Sequence, residues 1–178
     1  LNALLHYRKR RYFLINGQWE DTKIGMSQYS VGKSGYQDKE GTWRDAEDGH
    51  LQGHPIEQGS VDSVAGFEST FEGQEQKRLW IWVSAGKCYH DVCRNNHRIQ
   101  EKLSPQLIYE HTYHYWKEWA RINHKRLQGA SLPENIHALY RRSLLLVRTQ
   151  VDKRGAIIAS ADSDIMMFNK DSYAYMWP

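Results

Sequence analysis

The densest group of reactive side chains is a run of three carboxylates beside an arginine, Arg44-Asp45-Ala46-Glu47-Asp48. If this run forms a strand, Asp45 and Glu47 point to one face, and paired carboxylates can act as acid and base in glycosidic cleavage. The same residues also fit a salt-bridged β-turn, which is the interpretation we favour. We expect His50 and His54, in the glycine-rich loop that follows, to be ordinary polar loop residues.

Three partial motifs for ligand binding are incomplete. Gly32-Lys33-Ser34 resembles the end of a phosphate-binding loop, but the position where that loop needs an earlier glycine holds glutamine. Asp162-Ser163-Asp164 opens like a calcium loop, yet Met166 stands at the next ligand position. Cys93 lies four residues before His97, but no CxxC or HExxH pattern completes a metal site. We therefore predict no metal and no cofactor.

The two cysteines, Cys88 and Cys93, lie five residues apart in a predicted helix. That offset turns their side chains apart and disfavours a disulfide between them. The sequence also lacks an Asn-x-Ser/Thr acceptor. Unpaired cysteines are typical of a reducing compartment, so we predict a cytoplasmic location.

The aromatic residues are unusual, with 7 Trp and 11 Tyr against 4 Phe. The rings of the segment 113–119 are expected to pack in a core. The segment Tyr173-Ala174-Tyr175-Met176-Trp177-Pro178 differs because it follows a polar loop rather than an apolar stripe. Flat rings stack on sugar faces, and phenol or indole groups can donate hydrogen bonds to sugar oxygens. This segment is therefore a candidate binding surface.

The first half of the chain has the patterns of β-structure. Arg11–Asn16 is rich in strand formers, Asn16-Gly17 is a hairpin turn signal, and Gln18–Asp21 would be the returning strand. Further strands are predicted at Ile24–Val31, Thr42–Glu47, Ser60–Phe71 and Leu79–Val83. In the last of these, Trp80 and Trp82 oppose an aliphatic face, which is typical of a central sandwich strand or of an aromatic platform on an open face.

After Gly86 the spacing of apolar residues changes to that of a helix. One helix is predicted from there to about Leu103, and a second begins at Ser104-Pro105. Ser131-Leu132-Pro133-Glu134 has the form of a capping box, with Ser131 as the cap, for a third helix that ends near Gln150. An extended piece at Ala156–Ser160 follows. The predicted fold class is α+β, an antiparallel β-sandwich followed by helices.

Length and composition limit the functional classes. The chain has 178 residues, 25% of them charged, with a net charge of +3 and a pI near 8.8. Charges of both signs are interspersed, so nucleic-acid binding ranks last among the functions considered. No apolar run exceeds five residues, so none, Leu144–Val147 included, is long enough to span a membrane. The chain begins without methionine and stops inside an aromatic-rich segment, from which we expect an excerpt of a longer protein.

Several motifs resemble prokaryotic family-15 glycoside hydrolases, the group of glucoamylases, glucodextranases and some trehalases. The strongest are Tyr140-Arg141-Arg142-Ser143-Leu144-Leu145-Leu146-Val147-Arg148-Thr149-Gln150, Gly155-Ala156-Ile157-Ile158-Ala159 and the Tyr173–Pro178 segment. Thr42–Gly49 and Gly59–Ser63 are similar to the N-terminal β domain of that group. The resemblance covers most of the chain.

The resemblance implies three parts: a partial β supersandwich (1–86), a helical linker (87–130) and the start of an α/α toroid (131–178), of which the chain holds the first helix. It implies an α-glucan or oligosaccharide as the partner, and release of terminal glucose by inverting hydrolysis. Tyr173 and Trp177 match positions that contact the terminal glucose. In the family an Arg-Asp pair follows directly, and the catalytic glutamates lie much further downstream. No catalytic residue is therefore assigned in this chain.

Two further expectations concern an alternative function and the assembly of the chain. The alternative function is a non-catalytic carbohydrate-binding β-sandwich module that uses Trp80, Trp82 or the Tyr173–Trp177 edge. A partial sandwich and a single toroid helix would leave strand edges and the apolar face Leu144–Val147 uncovered, so the chain is expected to self-associate or to need the rest of a longer chain.

Overall fold

A computed structural model describes residues 2–34, 41–124, 132–158 and 176–177. It contains antiparallel sheets and three helices, which confirms the mixed α and β composition. The elements are, in chain order, β1 (Leu4–Arg8), β2 (Arg11–Trp19), β3 (Gln28–Lys33), β4 (Val61–Gly66), β5 (Leu79–Gly86), α1 (Tyr89–Glu101), α2 (Pro105–His124), α3 (Glu134–Thr149), β6 (Ile157–Ile158) and β7 (Met176–Trp177).

The first sheet has the strand order β1-β2-β5, and all of its pairs are antiparallel. The predicted turn at Asn16-Gly17 is wrong, because both residues lie inside β2, opposite Trp82 and Ile81. The chain turns instead between Arg8 and Arg11, where Lys9 adopts a positive φ of 57°. Gly17 allows Phe67 to pack closely on β2, because a Cβ at this position would lie 3.0 Å from the ring of Phe67.

The second sheet pairs β3 with β4, in the register Gln28↔Gly66 to Lys33↔Val61. The strand predicted for Ser60–Phe71 is therefore shorter than expected. The strand predicted for Thr42–Glu47 is wrong, because residues 42–48 form consecutive turns. Backbone bonds such as Ala46 N–H to the Trp43 carbonyl, 3.2 Å, close these turns.

Helix α1 packs on β2 and β5 and encloses the small core of this part of the molecule. Leu14 of β2 is 1% exposed, and Val92 of α1 is fully buried. On the same sheet face, Trp82 donates its indole N–H to Asn96 of α1 over 2.9 Å. The other face of β5 is open, with Ile81 and Val83 both exposed. Of the two alternatives for this strand, the aromatic platform is thus wrong for Trp82, since α1 covers that face. Among the described strands β5 pairs only with β2, so it is not central in its sheet either.

The chain divides into two compact units, residues 1–105 and 106–178. The second unit holds nearly all of α2, and all of α3, β6 and β7. Helix α2 begins at Pro105, as predicted. Helix α3 begins later than the capping box implied, because its N-cap is Pro133; Glu134 pairs with Arg141 over 2.8 Å. Ser131 lies outside the described residues.

Candidate functional site

A small hairpin follows α3 and precedes the segment that we predict, from the sequence, to bind sugar. It opens with an antiparallel bridge between Val151 and Ile157. Asp152 shapes its turn, because one carboxylate oxygen accepts the N–H groups of Arg154, at 2.6 Å, and Ala156, at 3.0 Å. Gly155 supplies the positive φ of 92° that the turn requires. The local sequence is therefore sufficient to form this turn.

The hairpin brings one of the two predicted substrate-binding residues into register. Strand β7 pairs antiparallel with β6, so that Trp177 lies opposite Ile157 and Met176 opposite Ile158. Tyr173 lies outside the described residues, as does the rest of 159–175. The backbone of Trp177 is thereby tied to the strand that follows α3, the helix that carries the Tyr140–Gln150 motif.

Asp45, from the carboxylate-rich run of the sequence, helps to hold a loop in place. Asp45 accepts a hydrogen bond from the hydroxyl of Ser30, a residue only 2% exposed, and another from the Gln52 N–H at 3.1 Å. In the same region, both carboxylate oxygens of Asp62 lie within 3.3 Å of the Thr42 N–H. These bonds hold the 41–54 loop against β3 and β4.

These contacts also decide the chemistry open to Asp45. The Ser30 hydroxyl, the Gln52 N–H and the nearby His54 hold the pKa of Asp45 below its ordinary value. A catalytic acid needs a carboxyl whose pKa is raised, so that it stays protonated near neutral pH. The lowered pKa argues against Asp45 as the acid of such a pair, and its bonds to Ser30 and Gln52 match the turn interpretation.

A buried polar network joins the first sheet to α1. Asn96 is 1% exposed, and its side-chain oxygen accepts hydrogen bonds from Trp82, at 2.9 Å, and from the amide of Asn16, at 3.2 Å. Its own amide donates to Gln100 over 3.0 Å. The bonds among Asn16, Trp82 and Asn96 are internal to the fold and Gln100 lies at the exposed end, so the network stabilises the packing of α1.

Sequence reasoning missed a groove between α2 and α3. It has a volume of about 660 Å³. We call it the α2–α3 groove; it is lined by Tyr109, Thr112, Tyr113, Trp116, Lys117, Ala120, Arg121, Arg141 and Leu145. The rings of segment 113–119 were expected in a core, yet Tyr113 and Tyr115 are more than half exposed. The i, i+4, i+7 spacing of positions 109, 113 and 116 was the available signal.

The cysteines are free thiols in the structure, with Cys88 exposed and Cys93 half-buried. The Cys88 thiol hydrogen-bonds to Asp91 and lowers the pKa of that carboxyl. Within the described ranges, no three His, Cys, Asp or Glu side chains are grouped so that they could hold a metal ion. None of the helices in the described part is long and apolar enough to cross a membrane.

The resemblance to family-15 glycoside hydrolases rests on the sequence motifs between Thr42 and Pro178. Comparison with known proteins adds no assignment to the sites described above. No family model, no curated protein and no solved structure matches this chain.

Proposed function

We propose that this chain is part of a glucoamylase-like glycoside hydrolase, which releases glucose from α-glucan ends by inversion. In this proposal, residues 1–86 belong to a β supersandwich, 87–130 to a helical linker and 131–178 to the first part of an α/α toroid. Inverting hydrolysis needs a protonated acid and a base about 6.5–9.5 Å apart. The family resemblance assigns neither group to this chain, so it would bind sugar without cleaving it.

The observation that carries the proposal is the linkage of α3 to Trp177. The most specific family motif, Tyr140–Gln150, coincides with the C-terminal half of α3. The hairpin after α3 then pairs Ile157 with Trp177. The element order, with β1–β5 before the three helices, also agrees with a β domain that precedes a helical one.

Sugar binding by the isolated chain tests the proposal. Titration with maltotriose, followed by NMR, should give weak binding that falls at least about tenfold in Trp177→Ala, a change of roughly 1.4 kcal/mol. Trp43→Ala is the matched control, because Trp43 is an exposed tryptophan in the other unit, 57% accessible. Cellotriose, with its β linkages, should bind more weakly than maltotriose.

Three outcomes would count against the proposal. Glucose release from maltooligosaccharides by the chain alone would show that a catalytic pair is present. Absence of maltotriose binding would remove the sugar site. Loss of binding in Trp80→Ala but not in Trp177→Ala would favour the alternative, a non-catalytic carbohydrate-binding β-sandwich module.

The proposal extends to assembly and location. Leu146 and Val147 of α3 are about 60% exposed, which supports self-association through a face that a complete toroid would bury. A monodisperse monomer in light scattering would contradict this part. The free thiols of Cys88 and Cys93 support a reducing, cytoplasmic location.

A further inference from the structure

The α2–α3 groove is apolar along its length and aromatic on one wall. Tyr109, Tyr113 and Trp116 follow one another at i, i+4 and i+7, and so share one face of α2. Ala120 continues this face and is buried, at 8% exposure, while Leu145 of α3 contributes to the other wall. The groove follows α2 for about 18 Å at 1.5 Å per residue, a little over three turns.

Among the described residues that line the groove, every charged side chain is a cation. Arg121 is paired with Glu118 of its own helix at 2.7 Å, and Arg141 with Glu134 at 2.8 Å. Lys117 differs from both: its ammonium lies over the ring of Tyr113, 5.7 Å from the centroid. In the described part of the chain, no carboxylate forms an ion pair with Lys117. Arg121 and, more weakly, Lys117 lower the pKa of the Glu118 carboxyl, so three cations share two carboxylates here and the groove keeps an excess of positive charge beside an apolar surface.

We propose that the α2–α3 groove binds an acidic amphipathic helix of another polypeptide chain. A helix laid in a groove presents apolar anchors at i, i+3, i+4 and i+7, and the length of this groove suits about three such turns. Carboxylates at the edge of that helix would meet Lys117 and the two arginines. The proposal is independent of the sugar-binding function, since the groove contains neither Tyr173 nor Trp177.

Charge also argues against a second copy of this chain as the occupant. The apolar face of α3 that a second copy could offer includes Leu139, Leu146 and Val147, which are about 60% exposed. That helix carries three arginines against one glutamate. A second α3 would thus bring positive charge to a groove that is already lined by cations, which is unfavourable at an interface.

Two designed peptides test the proposal. Each has about 16 residues, which is long enough to fill the groove. They share the same leucine positions and carry either glutamate or lysine elsewhere; fluorescence anisotropy of labelled peptides reports binding. We expect the acidic peptide to bind at least about tenfold more tightly than the basic one. Lys117→Glu should weaken the acidic peptide about tenfold and strengthen the basic one, and Lys117→Met should give an intermediate effect.

Lys87→Glu is the control, because Lys87 is exposed and lies in the other unit. It should leave both affinities unchanged. Equal binding of the two peptides, no binding of either, or the same loss in Lys87→Glu would overturn the proposal. A homodimer in light scattering that Lys117→Glu abolishes would also overturn it, because a second copy would then occupy the groove.

Discussion

Replacement of Asn96 by leucine tests whether the buried polar network holds α1 on the first sheet. Leucine has a similar size but cannot accept the hydrogen bonds of Trp82 and Asn16, which are 2.9 and 3.2 Å long in the native protein. Each donor left without a partner costs about 1–3 kcal/mol, so the two together cost about 2–6 kcal/mol. Burial of leucine at a position only 1% exposed returns about 1–2 kcal/mol.

With about 4 kcal/mol as the midpoint of the cost and about 1.5 kcal/mol as that of the gain, the expected net loss in the free energy of unfolding is about 2.5 kcal/mol. Urea unfolding followed by circular dichroism measures it, with the m value as a check that the unfolded state is unchanged. Gln100→Leu is the matched control, since Gln100 also belongs to the network but is exposed. It should change stability by less than about 0.5 kcal/mol.

A double-mutant cycle isolates the hydrogen bond between Trp82 and Asn96. Trp82→Phe removes the indole donor, so Asn96→Leu should cost about 1–3 kcal/mol less in that background. Faster hydrogen exchange of the Trp82 indole N–H in Asn96→Leu would give an independent signal of the lost bond. A loss below about 0.5 kcal/mol for Asn96→Leu, or additive single effects in the cycle, would refute the reasoning.

Two further predictions concern the β-rich unit. Gly17→Ala places a Cβ 2.8 Å from a carbonyl oxygen of β5 and 3.0 Å from the ring of Phe67. It should lower the free energy of unfolding, measured by heat or urea, by about 1–3 kcal/mol. Gly73→Ala is the control, because the space around its Cβ is open. The lowered pKa of Asp45 means that its contribution to stability is present above the unfolded pKa, near 3.9, and is lost as pH falls through the folded pKa. Ser30→Ala should raise that folded pKa toward its ordinary value in an NMR titration of the carboxyl, and an unchanged titration would contradict the assigned cause.

The sequence by itself determined those features whose residues interact with others close along the chain. Pro105 marks the start of α2 because a proline fits the first helical turn, where its missing N–H is not needed. The Asp152 turn forms because its carboxylate reaches N–H groups only two and four residues ahead. Alternation of apolar and polar residues likewise indicated β4, although not its end at Gly66.

The tertiary structure decided the features whose partners are distant. Asn16 and Gly17 have the composition of a turn, but both pair with β5, and Asn16 binds Asn96, eighty positions away. The Thr42–Glu47 segment has the composition of a strand, but Asp45 bonds to Ser30 and bends it into turns. A prediction made from neighbouring residues alone therefore could not include these contacts.

The same distinction applies to the candidate sites. Sequence alone singled out Tyr173 and Trp177, because their ring chemistry and their motif are local properties. It assigned the rings of α2 to a core, since an apolar stripe has the same spacing whether or not another element covers it. Only the packing of α2 beside α3 decided that Tyr113 and Trp116 line a groove, and that the cations beside them give this groove its charge.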